Sequence, residues 1–151
     1  MATPSVNSPQ PLAERAVPLL ICLVDDAADY HVVVNATLKR CLPHGQLSSF
    51  LDGQAFLDEL ILMSKKPHLI ILDQHMPGWS GHQTLLALKQ QPACRFIPVV
   101  MMSMDASYSE VASFYQAGAA TFLRKPTDFN AFQEILLMAC QYASKPKTIL
   151  E

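Results

Sequence analysis

Short apolar runs alternate with longer amphipathic segments from residue 18 onward, and this alternation restricts the possible folds more than any other feature. The runs Leu19–Val24, Leu69–Leu72 and Val99–Met102 are almost wholly apolar, which is typical of strands buried on both faces of a sheet. The run Gln46–Leu51 is more polar and is placed at an edge, while Thr121–Leu123 gives a short fifth strand. Alternating strands and helices predict a parallel sheet covered on both faces.

Five helices are predicted between and after these strands, at about 29–42, 53–64, 80–91, 107–117 and 128–143. Short connections between successive elements predict a flavodoxin-like, doubly wound α/β fold with the strand order 2-1-3-4-5. The crossovers of such a sheet are right-handed, and its ligands bind at the carboxyl ends of the strands.

Helix ends are marked by residues that satisfy otherwise free backbone groups. The sequence predicts capping boxes, single N-caps and one left-handed glycine after a helix, at Ser80 with Gln83, Ser107 with Glu110, Asp52, Thr127 and Gly118. These residues indicate the starts of the second to fifth helices and the end of the fourth.

The composition is that of one small globular domain. Of the 151 residues, 50% are hydrophobic and 16% are charged, and we expect a domain at 18–143 between flexible tails at 1–17 and 144–151. The formal net charge of −2 argues against nucleic-acid binding, because no basic excess exists to neutralise phosphates. The apolar runs are too short to span a bilayer, so no membrane association is expected.

Cysteine usage and the N-terminal residues indicate the compartment. Cys22, Cys41, Cys94 and Cys140 form no C-x-x-C pair and have no regular spacing. Such cysteines are typical of small buried thiols in a reducing environment. The N-terminal segment has no apolar core of a signal peptide, so a cytoplasmic protein is expected.

Polar residues follow four of the predicted strands, at the edge where this fold binds ligands. The ends of strands one, three, four and five carry, in this order, Asp25 with Asp26, Asp73, Ser103 and Lys125. Clustered carboxylates repel one another, and without compensation at least one has a raised pKa. A hard cation removes this cost, since Mg²⁺ prefers oxygen ligands. The sequence therefore predicts a divalent-cation site at this edge.

The segment Asp73–Gly81 resembles the D-x-x-M-P-G-x-x-G phosphoacceptor loop of response-regulator receiver domains. The order Asp-Asp, Asp, Ser, Lys-Pro matches that family over residues 18 to 143. The resemblance implies that Asp73 is the nucleophile that takes a phosphoryl group from a histidine kinase or a phosphotransfer protein. It also implies that Asp26, Asp73 and the backbone carbonyl of His75 hold Mg²⁺ or Mn²⁺, with Asp25 binding through a coordinated water.

The same resemblance implies roles for three residues on the last two strands and in the turn that follows. The Ser103 hydroxyl would bind one phosphoryl oxygen and the Lys125 ammonium another. Phe122 occupies the position of the family's aromatic switch, whose ring moves inward when Ser103 shifts toward the phosphoryl group. A cis Lys125–Pro126 peptide bond is expected, which would direct the ammonium into the crevice.

Three residues depart from the commonest pattern of the family. Ser103 replaces a Thr and keeps the hydroxyl, and Met104 stands where Ala or Gly is usual. His75, two residues after Asp73, and Met104 are expected to lie near the path by which water reaches the phosphorylated aspartate. The His75 ring is not expected to bind Mg²⁺, which disfavours nitrogen ligands.

Three other functions use parts of this pattern. A haloacid-dehalogenase-type phosphatase forms the same aspartyl-phosphate, but it needs a second Asp where His75 stands. A degenerate receiver used only for docking would not need the acidic and Lys positions, all of which are present. A flavodoxin-like cofactor binder would need a phosphate-cradling loop after strand one, and that loop is acidic.

The expected output is a conformational change recognised by a partner protein. No DNA-binding, cyclase or kinase segment follows the fifth helix, so a stand-alone signalling receiver rather than an enzyme is expected. The downstream target is not identified by the sequence. A homodimer through the face of helix four, strand five and helix five is a further expectation.

Overall fold

The computed structural model describes residues 18–125 and 129–144, in which five strands alternate with five helices. The strands are β1 (Leu20–Val24), β2 (Gln46–Phe50), β3 (Leu69–Asp73), β4 (Val99–Ser103) and β5 (Thr121–Arg124). The helices are α1 (Ala28–Cys41), α2 (Gly53–Leu62), α3 (Gly81–Lys89), α4 (Tyr108–Gln116) and α5 (Phe129–Ser144). Each predicted element is present, with ends that differ by at most two residues from those predicted.

The strands form one sheet in the order β2-β1-β3-β4-β5, and every neighbouring pair is parallel. The predicted doubly wound fold is therefore confirmed. Val24 of β1 lies opposite Leu72 of β3, and Asp73 lies opposite Met102 of β4. This register brings the carboxyl ends of three central strands to the same edge of the sheet.

Two apolar cores separate the helices from the sheet, one on each face. Ile70 and Leu72 of β3 face the core under α2, α3 and α4, whereas Leu69 and Ile71 face the core under α1 and α5. Side chains of a strand alternate between faces, so a strand between two helical layers must be apolar at every position. The wholly buried β3 and β4 and the largely exposed β2 fit the predicted central and edge positions.

Two predicted caps fix the starts of α2 and α3. The Asp52 carboxylate accepts a hydrogen bond from the Ala55 N–H at 2.8 Å. Ser80 and Gln83 form the complete capping box, in which each side chain accepts from the other residue's backbone N–H, at 3.1 and 2.9 Å. Because Ser80 closes the loop that follows Asp73, its cap also sets where α3 begins relative to that aspartate.

The predicted box at Ser107 is only half formed. The Ser107 hydroxyl accepts from the Glu110 N–H at 3.2 Å, as expected. The Glu110 carboxylate accepts from that same hydroxyl at 3.2 Å and not from the Ser107 N–H, so the reciprocal half of the prediction is wrong. Gly118 has the predicted positive φ, +105°, after α4. The predicted cap at Thr127 lies outside the described residues.

Several other predictions also fall outside the described residues. These are the N-terminal tail, most of the C-terminal tail and the geometry of the Lys125–Pro126 peptide bond, so the domain bounds 18 and 143 remain predictions. Cys22, Cys41 and Cys94 are free thiols, and burial raises the pKa of Cys22 to about 12. None of the helices, as far as they are described, is both long and apolar enough to cross a bilayer.

Candidate functional site

Three carboxylates meet at the carboxyl edge of the sheet. Asp25 and Asp26 come directly after β1, and Asp73 is the last residue of β3. One oxygen of each carboxylate lies within 4.8 Å of an oxygen of the other two. Asp25 and Asp73 are buried, whereas Asp26 is exposed, so the cluster opens to solvent on one side. The sequence prediction that these residues converge is confirmed.

Both the backbone and the side chain of Asp25 make hydrogen-bond contacts within the protein. Its N–H donates to the Phe50 carbonyl at 3.0 Å, and its Oδ1 accepts from the Ala27 N–H at 2.9 Å. Its backbone carbonyl lies 2.6 Å from Nε2 of His31, a buried residue of α1. The acidic loop is thereby held to both β2 and α1. His31 was not singled out from the sequence.

Lys125 reaches the cluster from the turn after β5. Its Nζ lies 2.5 Å from Asp25 Oδ2 and 3.8 Å from Asp73 Oδ1. Its backbone N–H donates to the Ser103 carbonyl at 2.9 Å, which ties the turn to the end of β4. The ammonium also lies 4.2 Å from the ring centroid of Tyr30 in α1. A residue 100 positions from Asp25 in the sequence is thus its ion-pair partner.

One ammonium does not compensate three carboxylates. The pKa of Asp73 is raised from 3.8 to about 6, first by burial and then by the negative charge of Asp25 and of Asp26, while Lys125 and His75 lower it. Burial, followed by the charges of Asp25 and Asp73, also raises the pKa of Tyr30. The site therefore holds an excess of negative charge that a bound cation would relieve.

The donor set fits a hard divalent cation. The three clustered side chains supply oxygen atoms only, which is the ligand type that Mg²⁺ and Mn²⁺ prefer. Asp26 is exposed, so solvent can reach the cluster and supply the water ligands that Mg²⁺ usually retains. The raised pKa of Asp73 gives the electrostatic reason for binding, since a cation at this point stabilises the ionised carboxylate.

The hydroxyl of Ser103 lies at the end of β4, and this residue is fully buried. Its Oγ lies 3.4 Å from the Asp105 N and 3.5 Å from Asp105 Oδ1. The same carboxylate oxygen lies 2.9 Å from Nε2 of His75. Asp105, which the sequence analysis did not single out, therefore connects the loop after β3 with the serine of β4.

Met104 begins the loop between β4 and α4. Its backbone carbonyl accepts a hydrogen bond from the Arg124 guanidinium at 3.0 Å, and the residue is 58% exposed. The described structure therefore places Met104 at the surface, and its effect on access to Asp73 stays a prediction.

Phe122 connects β5 to α4. Its half-buried ring packs against Phe114 with the ring centroids 5.8 Å apart, and its N–H donates to the Tyr115 hydroxyl at 3.1 Å. Both contacts are with α4, which follows the loop after Ser103. Phe122 is thus in contact with the element that a movement of this loop would displace, and its role as a switch stays a prediction.

Gly81 permits α3 to begin directly against the backbone of Asp73. A Cβ at this position would lie 2.3 Å from the Asp73 carbonyl oxygen and 2.9 Å from Cα of Gln74. Backbone atoms cannot turn away as a side chain can, so any larger residue must displace either α3 or Asp73. The last glycine of the motif is thus required by this close approach.

We expect Gly81→Ala to lower the free energy of unfolding by about 2 kcal/mol, a typical cost of overpacking, and to slow the modification of Asp73. Gly53→Ala is the matched control, because its Cβ would meet the Thr84 side chain and not the backbone of the site. Urea unfolding measures the stability of each variant, and the rate at which acetyl phosphate modifies Asp73 measures the effect on the site. An equal loss of labelling rate in both variants would contradict a specific role for Gly81.

Comparison with known proteins gives the family. A family model described as the response regulator receiver domain matches residues 21–137. The chain belongs to the response-regulator receiver domain family. Receivers are the phosphoacceptor modules of two-component signalling, so the function predicted from the sequence is confirmed at the level of the family. The match favours this function over a dehalogenase-type phosphatase or a flavodoxin-like cofactor binder.

Particular relatives support this receiver assignment. The response regulator Rcp1 of Synechocystis sp. is 30% identical over 117 residues, which cover 74% of this chain and 80% of Rcp1. Its Mn²⁺-bound crystal structure has a TM-score of 0.74 at 24% identity and covers 89% of this chain and 100% of that one. The phosphorylated cyanobacterial phytochrome response regulator RcpA has a TM-score of 0.78 at 20% identity, covering 87% and 98%. The match with this chain covers only 25% of the response regulator-like APRR9 of Arabidopsis thaliana and 22% of the transcriptional regulator NtrC of Klebsiella pneumoniae, which are longer proteins.

Proposed function

We propose that Asp73 accepts a phosphoryl group from a histidine kinase or a phosphotransfer protein and that the resulting conformational change is recognised by a partner protein. The observation that carries this proposal is the convergence of three carboxylates and one ammonium at the end of β3. Asp73 is the last residue of the central strand β3, it is buried, and one of its oxygens lies 3.8 Å from the Lys125 ammonium.

Asp26, Asp73 and the backbone carbonyl of His75 are the proposed ligands of Mg²⁺ or Mn²⁺, with Asp25 binding through a coordinated water. When bound, the cation supplies positive charge that offsets the charge of the acids and of a phosphoryl group. Support comes from the all-oxygen donor set and from the raised pKa of Asp73. The Mn²⁺-bound state of Rcp1 is a property of that relative and is consistent with the proposal.

The chain's own residues assist transfer by position and charge. An Asp73 oxygen forms the bond to phosphorus while the bond to the donor's leaving group breaks, and the leaving group departs with the electron pair. Lys125 is 3.8 Å from Asp73 Oδ1 and would bind one phosphoryl oxygen after a small movement from Asp25. The Ser103 hydroxyl would bind a second oxygen after leaving Asp105.

Hydrolysis of the aspartyl-phosphate is the proposed means by which the signal ends. Water must approach in line with the bond between phosphorus and Asp73, and His75 and Met104 come from the two loops that border Asp73 and Ser103. The His75 side chain is 61% exposed, and its Nε2 lies 2.9 Å from Asp105 Oδ1 in the loop after β4. We propose that the two side chains set the rate at which water enters.

We expect Met104→Ala to shorten the lifetime of the phosphorylated protein, because it removes bulk from the border of the site. A barrier change of ~1.4 kcal/mol corresponds to roughly a tenfold change in lifetime. Loss of phosphate from Asp73 is followed by intact-protein mass after the donor is removed. Leu86→Ala, a substitution of an exposed apolar residue of α3, is the control. An unchanged lifetime in Met104→Ala would mean that this methionine only packs at the surface.

Movement of Ser103 toward the phosphoryl group, followed by an inward shift of Phe122, is the proposed route to the partner surface. Phe122 already touches Phe114 and Tyr115, so such a shift would change the face of α4, β5 and α5. A homodimer through this face is a further proposal, and it is tested by sedimentation with and without beryllofluoride. A cytoplasmic location remains the prediction from the cysteine pattern.

Phosphoryl transfer itself is the direct test of the proposed function. The protein is incubated with acetyl phosphate in the presence of Mg²⁺, or of Mn²⁺, or of a chelator, and its intact mass is measured. We expect a mass gain of one phosphoryl group only when a divalent cation is present. Equal labelling with the chelator would overturn the proposed metal site, and no labelling under any condition with small donors or a kinase would overturn the function.

A further inference from the structure

The ring of Tyr30 lies against the ammonium group of Lys125. The distance from Nζ to the ring centroid is 4.2 Å, within the range of a cation–π contact. The Lys125 side chain is only 13% exposed, so water screens this contact weakly. Such contacts are strongest when they are desolvated.

Besides the ring, the Lys125 ammonium has one close carboxylate partner and one more distant one. Asp25 Oδ2 lies 2.5 Å from Nζ and forms a direct ion pair, while Asp73 Oδ1, at 3.8 Å, is beyond hydrogen-bond distance. The face of an aromatic ring carries partial negative charge without being an anion. It therefore holds the ammonium in place while leaving its hydrogens available to oxygen acceptors.

The position of Tyr30 is fixed by the start of α1. Its N–H donates to the Ala27 carbonyl at 3.0 Å, and the next residue, His31, contacts the Asp25 carbonyl at 2.6 Å. The first turn of α1 is thus bound to the loop that carries Asp25 and Asp26. The backbone that carries the Tyr30 ring is therefore tied to the loop of Asp25, the close carboxylate partner of Lys125.

We propose that Tyr30 is a positioning residue for Lys125, whose ring holds the ammonium in the site as the lysine moves from Asp25 to the phosphoryl group on Asp73. This inference rests on the proposed function and adds to it a residue of α1. Cation binding at the acidic pair would draw Asp25 away from Lys125, whereas it would leave the uncharged ring unchanged. The ring is therefore the partner that Lys125 keeps in both states.

Two substitutions of Tyr30 distinguish the effect of the aromatic face from the effect of side-chain volume. Tyr30→Phe retains the aromatic face and removes the hydroxyl, whereas Tyr30→Leu retains apolar volume and removes the face. The phenol itself stays neutral at ordinary pH, because burial and the charges of Asp25 and Asp73 raise its pKa. The proposed effect therefore belongs to the ring face and not to a phenolate.

The contact is tested first without phosphorylation, by NMR of the metal-free protein. We expect the ε-methylene protons of Lys125 to be shifted upfield by the ring current, to stay so in Tyr30→Phe and to return toward ordinary values in Tyr30→Leu. An unshifted Lys125 resonance in the wild type would overturn the proposal by itself, whether or not the variants fold.

The role is tested by the rate at which acetyl phosphate labels Asp73 in the presence of Mg²⁺. Loss of one partly desolvated cation–π contact predicts a rate about fivefold lower in Tyr30→Leu and a rate close to wild type in Tyr30→Phe. In a Lys125→Met background, where the residual rate is measured with a higher donor concentration, Tyr30→Leu should have no further effect, because the two residues act as one unit.

The outcomes separate this inference from the proposed function. A wild type that neither small donors nor a kinase label refutes the function of Asp73, whereas the NMR experiment still decides the contact. Equal rates in wild type and Tyr30→Leu, an equal loss in Tyr30→Phe and Tyr30→Leu, or the same loss in the Lys125→Met background would each overturn the role of the Tyr30 ring alone.

Discussion

Asp73→Asn is expected to abolish covalent modification of the protein by a phosphoryl donor and to abolish binding of beryllofluoride. The amide that replaces the carboxylate is a far weaker nucleophile and cannot serve as an anionic metal ligand. The shape of the site should change little, since Asn and Asp have nearly the same volume. Intact-protein mass after incubation with acetyl phosphate and Mg²⁺ measures the loss, and ¹⁹F NMR reports beryllofluoride.

Two further variants show whether the loss is specific to Asp73. Asp26→Ala should raise the Mg²⁺ concentration required for labelling while leaving Asp73 as the modified residue, because Asp26 is proposed only as a ligand. Asp58→Asn removes an exposed carboxylate of α2 and should behave as wild type. Labelling of Asp73→Asn at the wild-type level would refute the central proposal, whatever the other two variants do.

Asp73→Asn is also expected to stabilise the metal-free protein at about pH 7.5. The pKa of Asp73 rises from 3.8 to about 6 on folding, so the folded state binds this proton more tightly than the unfolded state. Stability from this group is therefore fully present below pH 3.8 and is lost as the pH rises through about 6. This change in pKa predicts that Asp73→Asn raises the free energy of unfolding at neutral pH by roughly 2–3 kcal/mol.

Mg²⁺ should reverse this order, because it binds the ionised carboxylate and stabilises the folded wild type. Urea unfolding of both proteins from about pH 4 to 7.5, each with a chelator and with Mg²⁺, tests the prediction. In metal-free solution the wild type should lose stability as the pH rises relative to the variant, and Mg²⁺ should remove most of the difference. A wild type that is the more stable protein at neutral pH without cation would contradict the raised pKa.

Much of the site could be predicted because the residues that end the strands of a parallel sheet lie together in space, although they are far apart in the sequence. Asp25, Asp73 and Ser103 each end an apolar run, and the carboxyl ends of parallel strands lie at one edge. Once the runs are recognised as strands, the convergence of these residues follows from topology alone. The capping pair Ser80 and Gln83 was predictable for a different reason, because its two hydrogen bonds join residues only three positions apart in the sequence.

The contacts that could not be predicted join loops or helix starts that are distant in the sequence. His75 and Asp105 are 30 residues apart, and their contact depends on how two loops approach each other. Tyr30 and His31 stand in an ordinary amphipathic helix, where their spacing carries no sign of Lys125 or Asp25. At Ser107 the local pattern was misleading, because one hydroxyl bonded both to the Glu110 backbone and to its carboxylate.

The hydrogen bond from the Phe122 N–H to the Tyr115 hydroxyl has a consequence for assembly. β5 is an edge strand, and an unpaired N–H on such a strand invites a strand from another molecule to extend the sheet. The tyrosine side chain fills the place of that missing strand. Tyr115→Phe would remove this acceptor from the Phe122 N–H, and we expect the variant to aggregate more readily through the β5 edge.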